Sequence, residues 1–304
     1  MQLRMAGGLW GGVGRSRTVR LAAAVAALLA AFVYANTLRD GLIYDDRPVI
    51  LVNEAVRQPL DWRTILLTSS WAPKGELTDS YRPLTVWTFA LNHAVHGDRP
   101  LGYHLVNLLA HAGVSALVVL LAATFGLSGV TAGLAGALFA VHPIHTEAVA
   151  SVVGRAELLA AGLGLLALLV QRRAAEAGWP LGTSATAALL YASALLAKEQ
   201  AIAFAALMPL ADLVFTDRGS LRVFARRLAS RRALVYLALV AITAGYLLLR
   251  AVALGQVVGA REIPSWMNPT ASASPALRVL TALEVQALAL KLLALPIGLS
   301  ADYS

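Results

Sequence analysis

The sequence of 304 residues contains no cysteine, which excludes disulfide bonds and catalytic thiolates. It is also poor in charge, because Asp, Glu, Lys and Arg make up 14% of its residues, against about a quarter in soluble domains. The alternating short segments typical of membrane β-barrels are missing too. Hydrophobic residues instead make up 58% of the chain, in continuous runs rich in Ala and Leu. These features predict an all-α polytopic membrane protein.

The apolar runs predict about eight spans, at residues 19–38, 101–124, 128–143, 151–171, 181–197, 199–216, 233–253 and 280–298. The net charge of +8 would suit nucleic acid, but the basic residues collect in short loops between these runs, so we expect no nucleic-acid partner. With spans alternating in direction, every basic cluster falls on one side. The positive-inside rule therefore predicts a cytoplasmic N-terminus at residues 1–18 and extracytoplasmic loops at 39–100 and 254–279.

The long first outer loop carries two adjacent acids, Asp45 and Asp46, in the segment "YDDRP". A carboxylate near a membrane interface is a natural general base. The alternative is a charged turn beside Gly41, with Arg47 as the counter-ion. Paired acids would also suit a hard divalent cation, so the sequence leaves metal dependence undecided.

All six histidines of the chain lie between residues 93 and 145. On the second span His104, Asn107 and His111 share one helix face, where polar groups either bond neighbouring helices or line a cavity. The segment "HPIHTE" adds His142 and His145 together with Glu147. Their spacing matches no zinc signature, and a role toward a phosphate is favoured over a metal site.

Three further cations are placed to meet an anion on the outer side. Arg82 precedes Pro83, which predicts a helix start there, and helix N-termini favour anions. Lys198 lies in a short polar turn between two apolar runs, which could equally be only a minimal connection. For Arg155 the alternative is an ion pair with Glu147 or Glu157 at the headgroups.

Five motifs occur in a fixed order along the chain: "YDDRPVI", "SYRPLTVWTFALNHAVHG", "GYHLVNLLAHAGVSALV", "HPIHTEAVASVVGRAELLA" and "LLAKEQAIAF". Together they resemble the transmembrane and tetratricopeptide-repeat O-mannosyltransferase family, including its bacterial relatives. The resemblance runs from about residue 30 to the end of the chain. It implies a GT-C type helical bundle with a long first extracytoplasmic loop, here a membrane glycosyltransferase domain at residues 19–304. The family's C-terminal repeats are not in this sequence, so we expect a fragment.

The resemblance also implies a reaction. Such enzymes move a sugar, here expected to be mannose, from a polyprenyl-phosphate carrier to a Ser or Thr hydroxyl of an acceptor protein outside the cytoplasm. A bacterial member would lie in the inner, or cytoplasmic, membrane with its active site on the extracytoplasmic face. The expected partners are the lipid-linked sugar, the acceptor protein and membrane lipid.

The implied roles divide the candidate residues into three sets, with no metal ligand among them. Asp45 and Asp46 are the catalytic acids. The residues expected to bind the donor phosphate are Arg82, His142, His145, Arg155 and Lys198. The supporting residues are Tyr81, His104, Asn107, His111, Glu147 and Glu157.

Two other functions compete with this one. A secondary transporter would use membrane acids and histidines as a proton relay, and Asp212 is an acid well inside a late span. The polar groups cluster on the outer side, however, and no inverted repeat is visible. A non-catalytic membrane anchor for repeats is the other alternative, and it would tolerate neutral replacement of both aspartates.

Overall fold

A computed structural model describes residues 16–70, 80–255, 270 and 272–299 of the chain. Within these ranges the chain forms α-helices joined by short 3-10 and π turns, and no strand is found among the described residues. The α-helices are α1 (Arg17–Val33), α2 (Trp62–Leu67), α3 (Pro83–His96), α4 (Pro100–Thr124), α5 (Gly129–Val141), α6 (Thr146–Ala150), α7 (Arg155–Glu176), α8 (Leu181–Ala197), α9 (Phe204–Ala211), α10 (Leu221–Arg227), α11 (Arg231–Leu254) and α12 (Pro275–Ala294). The predicted all-α class is confirmed.

A helix overlaps each of the eight predicted spans. Four helical stretches are long and apolar enough to cross a membrane by length and composition: Pro100–Thr124, Val152–Glu176, Glu199–Thr216 and Arg231–Leu254. The helices Gly129–Val141 and Leu181–Ala197 are apolar but shorter. The number of spans therefore remains a prediction, while the order of the apolar helices agrees with it.

Small residues bring the helices close together. On α1 the side chains of Ala26 and Ala30 are fully buried, and α1 packs against α4 and α5. Close approach through Ala and Gly is the usual packing mode of helices in membranes, where burial from water drives little association between helices. A second set of contacts joins α7 to α8 and α8 to α11, so α7 lies in the middle of the bundle.

The predicted first outer loop contains local helical structure. Pro83 begins α3, as its fixed φ predicts, and α2 forms within the segment "LDWRTILL". The predicted N-terminal segment 1–18 and second outer loop 254–279 fall mostly outside the described residues. The assignment of both outer loops to the extracytoplasmic side stays a prediction.

A buried polar network closes the C-terminal end of α7. The carboxylate of Asp212 accepts hydrogen bonds from Gln171 Nε2 (2.8 Å), Tyr236 Oη (2.8 Å) and Thr216 Oγ1 (3.2 Å). Next to it Arg232 is fully buried, and its Nη1 lies 2.6 Å from Asp217 Oδ2. These acids are therefore held by protein donors on several sides.

Candidate active site at the N-terminal end of α7

A tight turn sends the two adjacent aspartates in opposite directions. The amide of Asp46 donates to the carbonyl of Ile43 (2.9 Å), and Tyr44 adopts a left-handed φ of 43°. Few non-glycine residues adopt this conformation, so the turn is held by its surroundings. As a result Asp46 is fully buried, whereas Asp45 is exposed.

Asp46 is bonded into the start of α7. Its Oδ1 accepts from the amide of Val153 (2.9 Å) and from Ser151 Oγ (3.2 Å), and its Oδ2 accepts from the amide of Ile43 (3.4 Å). The 3-10 turn Val152–Gly154 that receives it requires glycine at residue 154, because a Cβ there would lie 2.5 Å from the carbonyl oxygen of Ala148. Asp46 is thus a structural acid that ties the predicted first outer loop to α7.

Asp45 lies in a different electrostatic environment from Asp46. Partial exclusion of water around its carboxylate, followed by the negative charges of Asp46 and Glu147, raises the pKa of Asp45 above its usual range. No hydrogen bond to its side chain is found among the described residues. A carboxylate with a raised pKa is better matched to proton abstraction near neutral pH than an ordinary aspartate.

Arg82 lines a small pocket. Its guanidinium donates to both carboxylate oxygens of Glu199, from Nε (3.3 Å) and Nη2 (3.2 Å), and its amide donates to Ser70 Oγ (2.6 Å). The pocket wall also includes Thr85 and Val153, so it borders the turn that Asp46 bonds. Arg82 remains partly exposed, which leaves it accessible to a ligand.

Lys198 lies close to the same group of charges. Its ammonium pairs with the carboxylate of Glu157, on the first turn of α7. Burial, then the neighbouring positive charge of Arg82, lowers the pKa of Lys198. Glu147 acts electrostatically on both Lys198 and Asp45, whereas neither Lys198 nor Arg82 is among the charges that shift the pKa of Asp45.

Arg155 takes a different position from the one that the sequence predicts. It is fully buried, with its guanidinium 4.6 Å from the centre of the Phe89 ring. Its hydrogen-bond partners are all neutral: Asn107 Oδ1, Asn92 Oδ1 and the carbonyl oxygens of Thr88 and Tyr103. Neither predicted alternative, an ion pair with Glu147 or Glu157, is among these partners. Arg155 therefore clamps α3, α4 and α7 together, and the structure does not support it as a phosphate ligand.

The polar face of α4 is fully buried, as its helical spacing predicts. Asn107 donates to the carbonyl of Ser151 (2.8 Å) while it accepts from Arg155, so it joins the clamp to the Asp46 turn. His111 Nε2 lies 3.1 Å from the carbonyl oxygen of Ala140. Both ring nitrogens of His104 lack a hydrogen-bond partner among the described residues. Asn107 and His111 thus join helices, which is the structural alternative for this face.

The two histidines of "HPIHTE" lie in an aromatic cluster. Pro143 separates them: α5 ends at Val141 and a 3-10 turn begins at residue 143. His142 Nδ1 accepts from the amide of Ile144 and Nε2 bonds the carbonyl of Leu293, which requires the neutral tautomer. The ring of His145 packs 4.2 Å from that of Phe139, centre to centre.

Burial, then the nearby rings of His111 and His142, lowers the pKa of His145 to about 4. Neutral imidazoles carry no charge to neutralise a phosphate. The phosphate role predicted for His142 and His145 is therefore not supported in a cationic form, and a hydrogen-bonding role stays a prediction.

The remaining residues around Arg82, Asp46 and Arg155 are the predicted Tyr81 and three residues that were not predicted. Tyr81 is fully buried, donates to the carbonyl of Leu66 (3.0 Å) and supports the residue before α3. Sequence reasoning missed Glu199 as the partner of Arg82, and Asn92 and Ser151 as partners of the buried charges. Only Glu199 had a sequence signal, its position next to Lys198. In the described part of the chain, no group of three or more His, Asp or Glu side chains could hold a metal ion.

Comparison with known proteins finds similarity to protein O-mannosyl-transferases. The chain is 43% identical to protein O-mannosyl-transferase Tmtc1 of Drosophila melanogaster over 192 residues, 61% of this chain and 22% of that protein. It is 35% identical to protein O-mannosyl-transferase TMTC2 of Homo sapiens over 209 residues, covering 65% of this chain and 24% of the relative. For TMTC3 of Homo sapiens the identity is 42% over 143 residues, 46% of this chain and 16% of the relative.

The chain thus spans between a sixth and a quarter of the length of these curated relatives. No family model matches the chain. No solved structure matches it significantly. Identity at this level over about half of the chain shows common ancestry with the protein O-mannosyl-transferases.

Proposed function

We propose that this chain is an integral-membrane glycosyltransferase that modifies proteins. The proposal rests on its homology to the TMTC protein O-mannosyl-transferases. We further propose that the sugar is mannose and that its donor is polyprenyl-phosphate mannose. The acceptor is a Ser or Thr hydroxyl of a protein on the extracytoplasmic side. The observation that carries the proposal beyond homology is Asp45, an exposed acid with a raised pKa that feels the charge of Glu147, which also acts on Lys198.

The reaction needs a base for the acceptor hydroxyl. As the hydroxyl oxygen bonds to the anomeric carbon of the sugar, its proton passes to the carboxylate of Asp45. At the same time the bond from the anomeric carbon to the phosphate oxygen breaks, and its electron pair leaves with the phosphate. The buried Asp46 cannot take this role without giving up three hydrogen bonds, so we assign the base to Asp45.

The departing phosphate gains negative charge in the transition state, which nearby cations stabilise. Arg82 and Lys198 are each paired with a glutamate, Glu199 and Glu157. In our proposal these glutamates hold the cations in position, and the phosphate competes with them for the guanidinium and the ammonium. Arg82 suits this role best, since it is partly exposed and its guanidinium can bond two oxygens at once.

The experiment is glycosyl transfer by the reconstituted protein, with polyprenyl-phosphate mannose as the donor and a Ser/Thr-containing protein as the acceptor. We expect Asp45→Asn to lower the rate by about 100-fold or more, in line with the contribution of a general base. Asp40→Asn is the matched control, since Asp40 is exposed in the same loop and should retain full rate. Full activity of Asp45→Asn would contradict the assignment of the base.

A further inference from the structure

A short segment at the other end of the bundle connects two candidate spans directly. The helical stretch Glu199–Thr216 ends one residue before it, and Arg231–Leu254 begins one residue after it. Residues 217–230 therefore join two stretches that are long and apolar enough to cross a bilayer. A connection this short keeps the segment at the membrane surface on the side where both stretches end.

The segment and the first turn of the following helix are strongly basic. Residues 218–232 contain six arginines and neither Asp nor Glu. Four of these arginines are exposed and have no ion-pair partner among the described residues: Arg218, Arg222, Arg226 and Arg231. We refer to these four as the arginine surface. A surface of one sign of charge next to a bilayer attracts the opposite charge within about 8 Å at physiological salt.

The other two arginines fix the segment to the bundle. Arg227 Nη1 lies 2.9 Å from Asp217 Oδ1, and Arg232 Nη1 lies 2.6 Å from Asp217 Oδ2. The buried guanidinium of Arg232 also lies 4.4 Å from the centre of the Phe224 ring, on α10. One carboxylate thus holds α10 against the start of α11, so the arginine surface is presented by an anchored element.

Helix α10 also has the pattern of an interfacial helix. Leu221, Phe224 and Leu228 follow each other at i, i+3 and i+7, so they share one face. Leu221 is 70% exposed and Leu228 is 37% exposed, so this apolar face extends beyond the protein. Arg222 and Arg226, one turn apart, lie on another face. Apolar residues beside arginines suit the boundary between headgroups and acyl chains.

We propose that the arginine surface binds the phosphate groups of anionic phospholipids. Guanidinium groups bond phosphate oxygens in pairs, which gives charged headgroups an advantage over zwitterionic ones. The exposed leucines and the two flanking spans favour a lipid over a soluble polyanion, because a soluble partner would leave the apolar face in water. This inference concerns the end of the bundle away from Asp45 and does not depend on the proposed reaction.

The test measures lipid selectivity in nanodiscs that contain the whole chain. Spin-labelled phosphatidylglycerol and phosphatidylcholine report how strongly each lipid associates with the protein. We expect wild type to prefer phosphatidylglycerol, and the combined Arg222→Gln, Arg226→Gln and Arg231→Gln variant to reduce that preference by about fivefold or more. The corresponding Lys variant keeps the charges and should keep most of the preference.

The matched control removes three exposed arginines from elsewhere, as Arg39→Gln, Arg63→Gln and Arg99→Gln. It changes the net charge equally and should reduce the preference far less. An equal loss in the control, or no preference in wild type, would overturn the proposal. So would an RNA oligonucleotide that binds through these arginines in phosphatidylcholine nanodiscs while phosphatidylglycerol shows no enrichment.

Discussion

Helix α7 carries a polar network at each end, and the two networks hold their carboxylates differently. At the C-terminal end Asp212 and Asp217 accept bonds from guanidinium, hydroxyl and amide donors. At the N-terminal end Asp46 is bonded in the same way, but Asp45 beside it is exposed and has a raised pKa. Arg155 and Gln171, which mark the two ends, are about 24 Å apart along the helix.

This difference separates structural from chemical use of charge. A carboxylate that already accepts several hydrogen bonds must give them up before it can act on a substrate. A carboxylate surrounded by like charge is destabilised when ionised and takes up a proton more readily. By this criterion the N-terminal end of α7 is suited to catalysis, and the C-terminal end holds the bundle together and anchors the arginine surface.

The largest effect that we expect comes from the C-terminal network. Arg232→Gln leaves the carboxylate of Asp217 without its buried partner, which should cost about 3–5 kcal/mol of unfolding free energy. Thermal unfolding in detergent measures the loss, and Arg231→Gln, at the exposed neighbouring arginine, should change stability little. Glycosyl transfer per folded molecule should stay near the wild-type rate in both variants. A stable but inactive Arg232→Gln protein would contradict the claim that the C-terminal network stabilises the fold without acting in catalysis.

The next prediction distinguishes the two arginines of the N-terminal end. Arg82→Gln should lower kcat/KM for the lipid-linked donor by about 10- to 100-fold, since each lost charged hydrogen bond costs about 1.5–3 kcal/mol. Its effect on stability should be small, because a partly exposed ion pair contributes about 0–1 kcal/mol.

Arg155→Gln should have a large effect on stability and a small effect on kcat/KM for the donor. It leaves buried carbonyl and amide oxygens unpaired, at about 1–3 kcal/mol each, and should lower the unfolding temperature more than the rate per folded molecule. Kinetics and thermal unfolding on the same preparations compare the two. A stable Arg155→Gln variant with a strongly raised KM for the donor would restore Arg155 as a phosphate ligand.

The smallest effect concerns pH. Asp45 must be ionised to accept a proton, so kcat/KM should fall as pH drops through its raised pKa. Glu147→Gln removes one of the negative charges that raise this pKa, and should move the acid limb to lower pH by about half a unit. Glu54→Gln, an exposed acid elsewhere in the loop, is the control and should leave the limb in place. A shift to higher pH would contradict the sign of the interaction.

Much of the fold could be predicted from the sequence, because it depends on local rules. Apolar runs predict the helices, Pro83 and Pro143 set boundaries through their fixed φ, and helical spacing places His104, Asn107 and His111 on one buried face. These features need only neighbours along the chain.

The roles of single charges could not be predicted, because they depend on distant partners. The sequence favours Arg155 as a phosphate ligand or as the partner of a nearby glutamate. Its actual partners, Asn107 and Asn92, lie 48 and 63 residues away along the chain, so no local pattern reveals them. Likewise, nothing local distinguishes Asp45 from Asp46. The left-handed turn at Tyr44 and the donors at residues 151–153 decide which aspartate is buried.

The most direct test of this account measures both turnover and unfolding temperature for two variants, Asp45→Asn and Asp46→Asn. Because the folded state raises the pKa of Asp45, ionising it at neutral pH opposes folding, so Asp45→Asn should keep or raise the unfolding temperature while turnover falls about 100-fold or more. Asp46→Asn should lower the unfolding temperature, because its hydrogen bonds to α7 weaken. Full turnover in Asp45→Asn, together with a stable but inactive Asp46→Asn, would contradict the account.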